Sequence, residues 1–267
     1  MDNVYKCERG VNISQMLKKI YVPYRDSYYK LIANRTIYYM KKYHKFNITK
    51  TYYKPADFYV GECDIGSSGI VWCDKQGKND TKTIDDRKII VTTIRLKEYM
   101  EKNGINVEQV IPWGVDDELA QKHVNFDFNA RKGYMIIAKN IPCDVLKTFE
   151  RRRKQLTIIS DHPNADFRPM DISENIKYYL LSHSLFYITI DDDIYPIEAM
   201  SVGTPLVYIK RQPYTGYECG IEIDSIEDLR TIGVSREEWE DLSWKCWFKS
   251  LRYHYITIGQ ELWGWLK

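Results

Sequence analysis

The chain has 267 residues, 44% of them apolar and 28% charged, with a formal net charge of +2. That balance excludes an intrinsically disordered chain, which would lack the apolar residues for a core. It also gives no electrostatic reason to expect nucleic acid as a partner. The length fits one large domain or two of ordinary size, either able to bury a core.

Residues 27–45 predict a long helix. Strands are expected at 57–60, 69–72 and 88–93, with a polar loop at 74–82 between the last two. A helix over 96–103 is stopped by Gly104, and a strand over 107–113 leads to Gly114, which reads as a hinge or linker. From there strand and helix alternate with short links. Strands are expected at 134–139, 156–160, 185–190 and 206–210. Between them come a Lys- and Arg-rich helix over 145–155 and an amphipathic helix reaching Leu181. The latter opens at Asp171 as N-cap, with Glu174 three residues on. A short helix is opened by Pro196 and closed at Gly203, and three further helices cover 225–231, 235–250 and 253–265.

Continuous apolar strands are those covered on both faces of a parallel sheet. Their alternation with helices implies right-handed βαβ units. The expected architecture is therefore α/β, with an N-terminal domain over 1–112 and a doubly wound, Rossmann-like C-terminal domain over 113–267.

The six cysteines include no Cys-x-x-Cys pair, and no histidine lies at ligand spacing from two of them. A zinc site is not expected; partly buried thiols, mostly free, in a cytoplasmic protein are, with a disulfide or two left open. The polar N-terminus carries no signal pattern, and the longest apolar runs fall far below the ~20 residues that span a bilayer. No membrane span is expected, although a peripheral place beside a membrane-borne acceptor stays open. Of the 22 tyrosines, many cluster with Lys and Arg between Tyr21 and Tyr53. They either fill core positions or form a surface that stacks on sugars or bases.

Several segments, in order, resemble the GT-B glycosyltransferases, in particular the large retaining family 4 that includes sucrose- and glycogen-synthase-like enzymes. Val110-Ile-Pro-Trp-Gly-Val-Asp116 is similar to that family's interdomain signature. Ile90-Val-Thr-Thr-Ile-Arg-Leu-Lys-Glu-Tyr-Met100 is similar to its last N-domain strand and helix. Tyr195-Pro-Ile-Glu-Ala-Met-Ser-Val-Gly-Thr-Pro205 resembles its donor-site segment, and the final helices resemble its C-terminal pair, the last of which crosses back to the N-domain. The resemblance covers residues 88–267 and implies a reduced N-terminal domain on the acceptor side.

It further implies transfer of a sugar from a nucleotide-diphosphate donor to an acceptor hydroxyl, with retention, without a metal and without a cofactor. The acceptor, whether glycan, protein or lipid-linked, is not identified. Glu198 matches the second of two family glutamates, expected to accept from the ribose hydroxyls, while the first falls at Ile190. Lys139 stands where the family has an arginine facing the diphosphate, and Lys147 is the nearest match to its phosphate-binding lysine. The backbone N–H groups of Tyr195 to Ile197 are expected to face the phosphates or sugar. The N-domain glycine-rich loop has its nearest match at Arg9-Gly-Val-Asn-Ile-Ser14.

Residue chemistry leaves alternatives open. Asp191, Asp192 and Asp193 could hold the donor sugar's hydroxyls, bind a divalent cation bridged to a diphosphate, or form a solvated turn. Glu198 in the first helical turn would also serve the helix dipole and reach back as a cap. His162, at a strand's carboxyl edge, could approach a donor, whereas His183 reads as structural. The run Arg151-Arg-Arg-Lys154 reads as a solvated helix face or as a contact with an anionic acceptor or membrane. The other two functional readings are a metal-dependent transferase using Asp191 and Asp193, and a non-catalytic binding module on the same fold.

Overall fold

A computed structural model describes residues 17–22, 27–53, 55–62, 69–74, 87–138, 141, 143–149, 155–169, 171–190, 194–209 and 219–266. The chain divides into two compact units. The first comprises Met1–Thr92, Leu96–Pro112 and Ile258–Lys267; the second comprises Thr93–Arg95 and Trp113–Thr257.

The first unit runs β1 (Lys18–Tyr21), α1 (Ser27–His44), β2 (Ile48–Thr51), β3 (Phe58–Gly61), β4 (Gly69–Cys73), β5 (Arg87–Val91), α2 (Ile94–Lys102) and β6 (Gln109–Val110). Its six strands are all parallel, in the order β2-β1-β3-β4-β5-β6. Tyr59, Val71, Ile89, Val91, Met100 and Val107 form its core. The last helix of the chain, α8 (Tyr255–Leu266), ends in this unit. There Trp263 stacks on Phe46 with centroids 3.6 Å apart, and Trp265 Nε1 donates to Gln109 Oε1 at 2.7 Å. These contacts are the physical form of the expected C-terminal crossing helix.

The second unit runs α3 (Asp117–His123), β7 (Tyr134–Ile137), α4 (Cys143–Phe149), β8 (Leu156–Ile159), α5 (Glu174–His183), β9 (Phe186–Ile188), α6 (Tyr195–Ser201), β10 (Leu206–Ile209), β11 (Gly220–Ile223), α7 (Arg236–Ser250) and the start of α8. Its parallel strands lie in the order β11-β10-β9-β7-β8. Counted from β7, that order is a doubly wound one whose direction reverses between its first and third strands. Phe149, Leu156, Phe186, Ile188, Val207 and Trp239 lie in the core that the helices close over this sheet.

Several expectations change. The strand over 107–113 shrinks to Gln109–Val110; Ile111 N–H still bonds Val91 O just beyond it, and by Val115 the N–H bonds Tyr253 O instead. Helix α5 is capped by Ser173, whose side chain accepts from Ile176 N–H, and not by Asp171. Strands β1, β2 and β11 and helix α3 carry no sequence expectation; β1 and β2 read Lys-Lys-Ile-Tyr and Ile-Thr-Lys-Thr, too short and polar to stand out. The open question of the cysteines resolves in part: Cys73 is disulfide-bonded, while Cys143, Cys219 and Cys246 carry thiols. The tyrosines of α1 divide, with Tyr29 and Tyr39 in the core and Tyr38 exposed.

Candidate functional site

In a doubly wound sheet, the loops after two strands that diverge at the reversal part from each other and leave a crevice at the strands' carboxyl ends. In the second unit those strands are β7 and β9. Lys139 follows the end of β7, and Asp191 to Asp193 follow the end of β9. Lys139, Asp191 and Asp193 lie outside the described residues, as do Arg9 to Ser14 and Arg151 to Lys154. Among the described residues no group of three or more His, Cys, Asp or Glu side chains is placed to hold a metal ion.

Ile190, standing where the resemblance places an acid, packs half-buried against the core of the second unit. Its side chain is spent on packing. Lys147 is exposed on α4. His162 stitches its own turn, its Nδ1 accepting from Asn164 N–H at 3.2 Å. His183 stacks on Tyr179 and lies 2.8 Å from the Tyr179 carbonyl, a structural place.

Helix α6 positions the remaining candidates. Tyr195 is its first residue and Pro196 its second, and Ile194 makes no side-chain cap. Glu198 is therefore fourth, and its own N–H already bonds Ile194 O at 3.0 Å. The expectation that this carboxylate caps the helix does not hold. One residue further in, it has turned from the helix end toward α5. Ile197 is fully buried, whereas Tyr195 is half-buried. The helix closes at Gly203, whose φ of 80° is a left-handed turn that glycine adopts without strain.

Glu198 is wholly buried. Lys177 Nζ lies 2.7 Å from its Oε2 and 2.8 Å from Glu174 Oε2. Tyr178 Oη donates to Glu198 Oε1 at 3.2 Å and accepts from Asp116 N–H at 3.0 Å. The Lys177 ammonium sits over the Tyr195 ring at 5.1 Å and the Tyr178 ring at 5.5 Å. One carboxylate thus joins α5, α6 and the Asp116 end of the segment that opens the unit. Lys177 and Tyr178 carry no motif that marks them in the sequence. The available signal was a lysine on the apolar stripe of an amphipathic helix, in register with Leu181.

Arg131 is a second buried cation among the described residues of this unit. Its guanidinium donates to Ser184 O at 2.9 Å, Thr204 Oγ1 at 2.5 Å, Val202 O at 2.8 Å and Asn125 O. None of these acceptors is charged, and burial pushes the guanidinium down to about 9. It fastens the C-terminal ends of α5 and α6 together.

No family model matches the chain. Glycosyltransferase 63 of Sulfolobus islandicus filamentous virus (isolate Iceland/Hveragerdi) is 60% identical over 264 residues, covering 94% of this chain and 99% of the relative. The crystal structure of TarM superposes with a TM-score of 0.54 at 12% identity, covering 88% of this chain and 58% of that one. An α1,3-fucosyltransferase solved with GDP superposes at 0.51 and 12% identity, covering 95% and 93%. A near-full-length relative at that identity and two parallel sheets wound alike place the chain: it belongs to the glycosyltransferases, on the GT-B fold.

Proposed function

We propose that the protein transfers a sugar from a nucleoside-diphosphate-sugar donor to an acceptor hydroxyl, with retention of anomeric configuration and without a metal ion. The observation that carries this reading is a buried carboxylate, Glu198, held in the helix entered from β9 beside the reversal of a doubly wound parallel sheet. Glu198 would accept from the ribose hydroxyls once the side chains that cover it part. The backbone N–H groups of Tyr195 and Ile197 would face the diphosphate, because first-turn amides lack helical partners. Lys139 would neutralise charge on the leaving diphosphate, and Asp191 and Asp193 would hold sugar hydroxyls in place of the acid missing at Ile190. The protein's part in such a reaction is orientation and electrostatic stabilisation of the leaving group. A relative in fold having been solved with GDP supports a nucleoside diphosphate as the anchoring group.

Thermal shift against UDP, GDP, ADP and CDP and their sugars tests binding. Glu198→Gln is expected to weaken nucleotide binding roughly tenfold, the worth of a hydrogen bond to a charged acceptor. An unchanged affinity and turnover would remove Glu198 from the donor site. Transfer is expected to persist in EDTA; full loss on chelation, restored by a divalent cation, would favour the Asp191 and Asp193 metal reading. Nucleotide binding without any turnover would instead identify a binding module.

A further inference from the structure

We propose that the outward face of α7, built around Trp244 and Phe248, binds a second copy of this chain as an antiparallel, two-fold helix pair. The inference is independent of the donor-site reading.

Helix α7 carries two stripes of the same spacing. Trp239, Ser243, Cys246 and Ser250 face the core and are buried. Glu237, Asp241, Trp244 and Phe248 lie on the opposite face, again at steps of four, three and four residues. There Phe248 is 73% exposed and Trp244 52%. Trp244 is nonetheless held in place. It stacks on Phe126 with centroids 4.0 Å and planes 8° apart, and Trp247 meets the two rings edge-on, 5.5 Å from Trp244 and 5.7 Å from Phe126. Rings already fixed lose little freedom on contact, and such aromatic anchors fill the centres of protein interfaces.

The charges along the helix name the occupant. Glu237, Glu238, Glu240 and Asp241 follow Arg236 at its start, whereas residues 242–252 contain Lys245, Lys249 and Arg252 and no acid. This order suits the helix dipole and supports pairs within the helix, Arg236 with Glu240 at 2.7 Å and Asp241 with Lys245 at 2.5 Å. It does not account for two large exposed rings between the acidic and basic ends. A second α7 laid antiparallel answers both features, since its rings cover these rings and its basic end lies over this acidic end. With the axis between Trp244 and Lys245, Glu237 stands opposite the partner's Arg252, and symmetry repeats the contact. An anionic lipid surface suits this face less well, because Glu237 and Asp241 share the stripe with the rings.

Light scattering after size exclusion and sedimentation equilibrium, on the 267-residue chain, test the pairing. A mass twice that of one chain is expected at concentrations on the order of 10 μM and above. Phe248→Ser, at an exposed position, is expected to keep the fold by circular dichroism and to weaken dimerisation at least about tenfold. Glu237→Lys and Arg252→Glu are each expected to weaken it several-fold, and the double variant to return to within about twofold of the parent. The mass of a single chain up to about 100 μM overturns the inference. So does a dimer that Phe248→Ser leaves intact, or a double charge reversal weaker than either single one. Co-sedimentation with phosphatidylglycerol vesicles by a protein that stays monomeric would assign the face to lipid and overturn the pairing equally.

Discussion

Lys177 Nζ stands 2.7 Å from Glu198 Oε2, with the two side chains 5% and 0% exposed. Two opposite charges have been withdrawn from water together, a loss that their attraction, the second carboxylate of Glu174 and the hydroxyl of Tyr178 offset. Removing one partner strands the other. Lys177→Met is expected to destabilise the protein by about 3–5 kcal/mol in denaturant unfolding. The double variant Lys177→Met with Glu198→Gln is expected to recover most of that loss, because no buried charge is left unpaired. Additive losses in the double variant would show that the two side chains do not interact in solution.

Arg131→Lys tests whether the fork geometry at the joint of α5 and α6 matters beyond its charge. A single ammonium cannot reach the four acceptors on Asn125, Ser184, Val202 and Thr204 that the guanidinium spans. The Ser184 and Asn125 carbonyls would lose a donor, at about 1–3 kcal/mol each, whereas Val202 O keeps the Asn125 N–H. A fall in Tm on the order of 10 °C is expected; a Tm within a degree or two of the parent would mean that other donors satisfy those carbonyls.

Gly114 sits in the family-like segment because of what lies against it. A Cβ at this position would come 2.6 Å from Cζ and 2.8 Å from Cδ2 of Tyr255, a ring that is wholly buried and cannot swing away. Gly114→Ala is expected to cost about 1–3 kcal/mol through overpacking. Adding Tyr255→Leu should make the alanine better tolerated, seen as a smaller loss on going from Gly114 to Ala in that background. An equal loss in both backgrounds would place the cause in the backbone instead.

Tyr253 gives a pH-dependent prediction. Burial raises its phenol above the ordinary value of 10.0, only partly opposed by the neighbouring Arg252. The folded state therefore holds the proton more tightly than the unfolded state. That stability is fully present below about pH 10 and is lost as pH rises through the higher folded-state value. Unfolding measured from pH 8 to 11 should show a smaller alkaline loss in Tyr253→Phe than in the parent. Parallel curves would mean that the phenol titrates alike in both states.

Much of the architecture was legible because burial on both faces leaves its mark on consecutive residues. Met135 to Ile137 and Phe186 to Ile188 are apolar without interruption, and they are strands at the centre of the second sheet. The edge strand β2 and its neighbour β1 were not legible, since Lys18, Lys19 and Lys50 interrupt any such run. The segment around Glu198 was legible as a helix because Pro196 lies in its first turn and Gly203 follows its end, both through backbone restrictions local to the residue.

The α/β alternation, the order of the segments that resemble GT-B glycosyltransferases, and Glu198 as the acid to follow can all be read from the residues alone. What that acid does in the folded chain emerges only from packing. Whether a glutamate caps its helix or pairs with a lysine on another depends on one residue of helical phase and on a neighbour 21 positions away along the chain. Helical phase at a terminus is fixed by where the first turn closes, and the partner by which helix packs alongside. Neither is written in local composition, because both follow from the packing of α5 against α6 that Arg131, Tyr178 and the sheet beneath them impose.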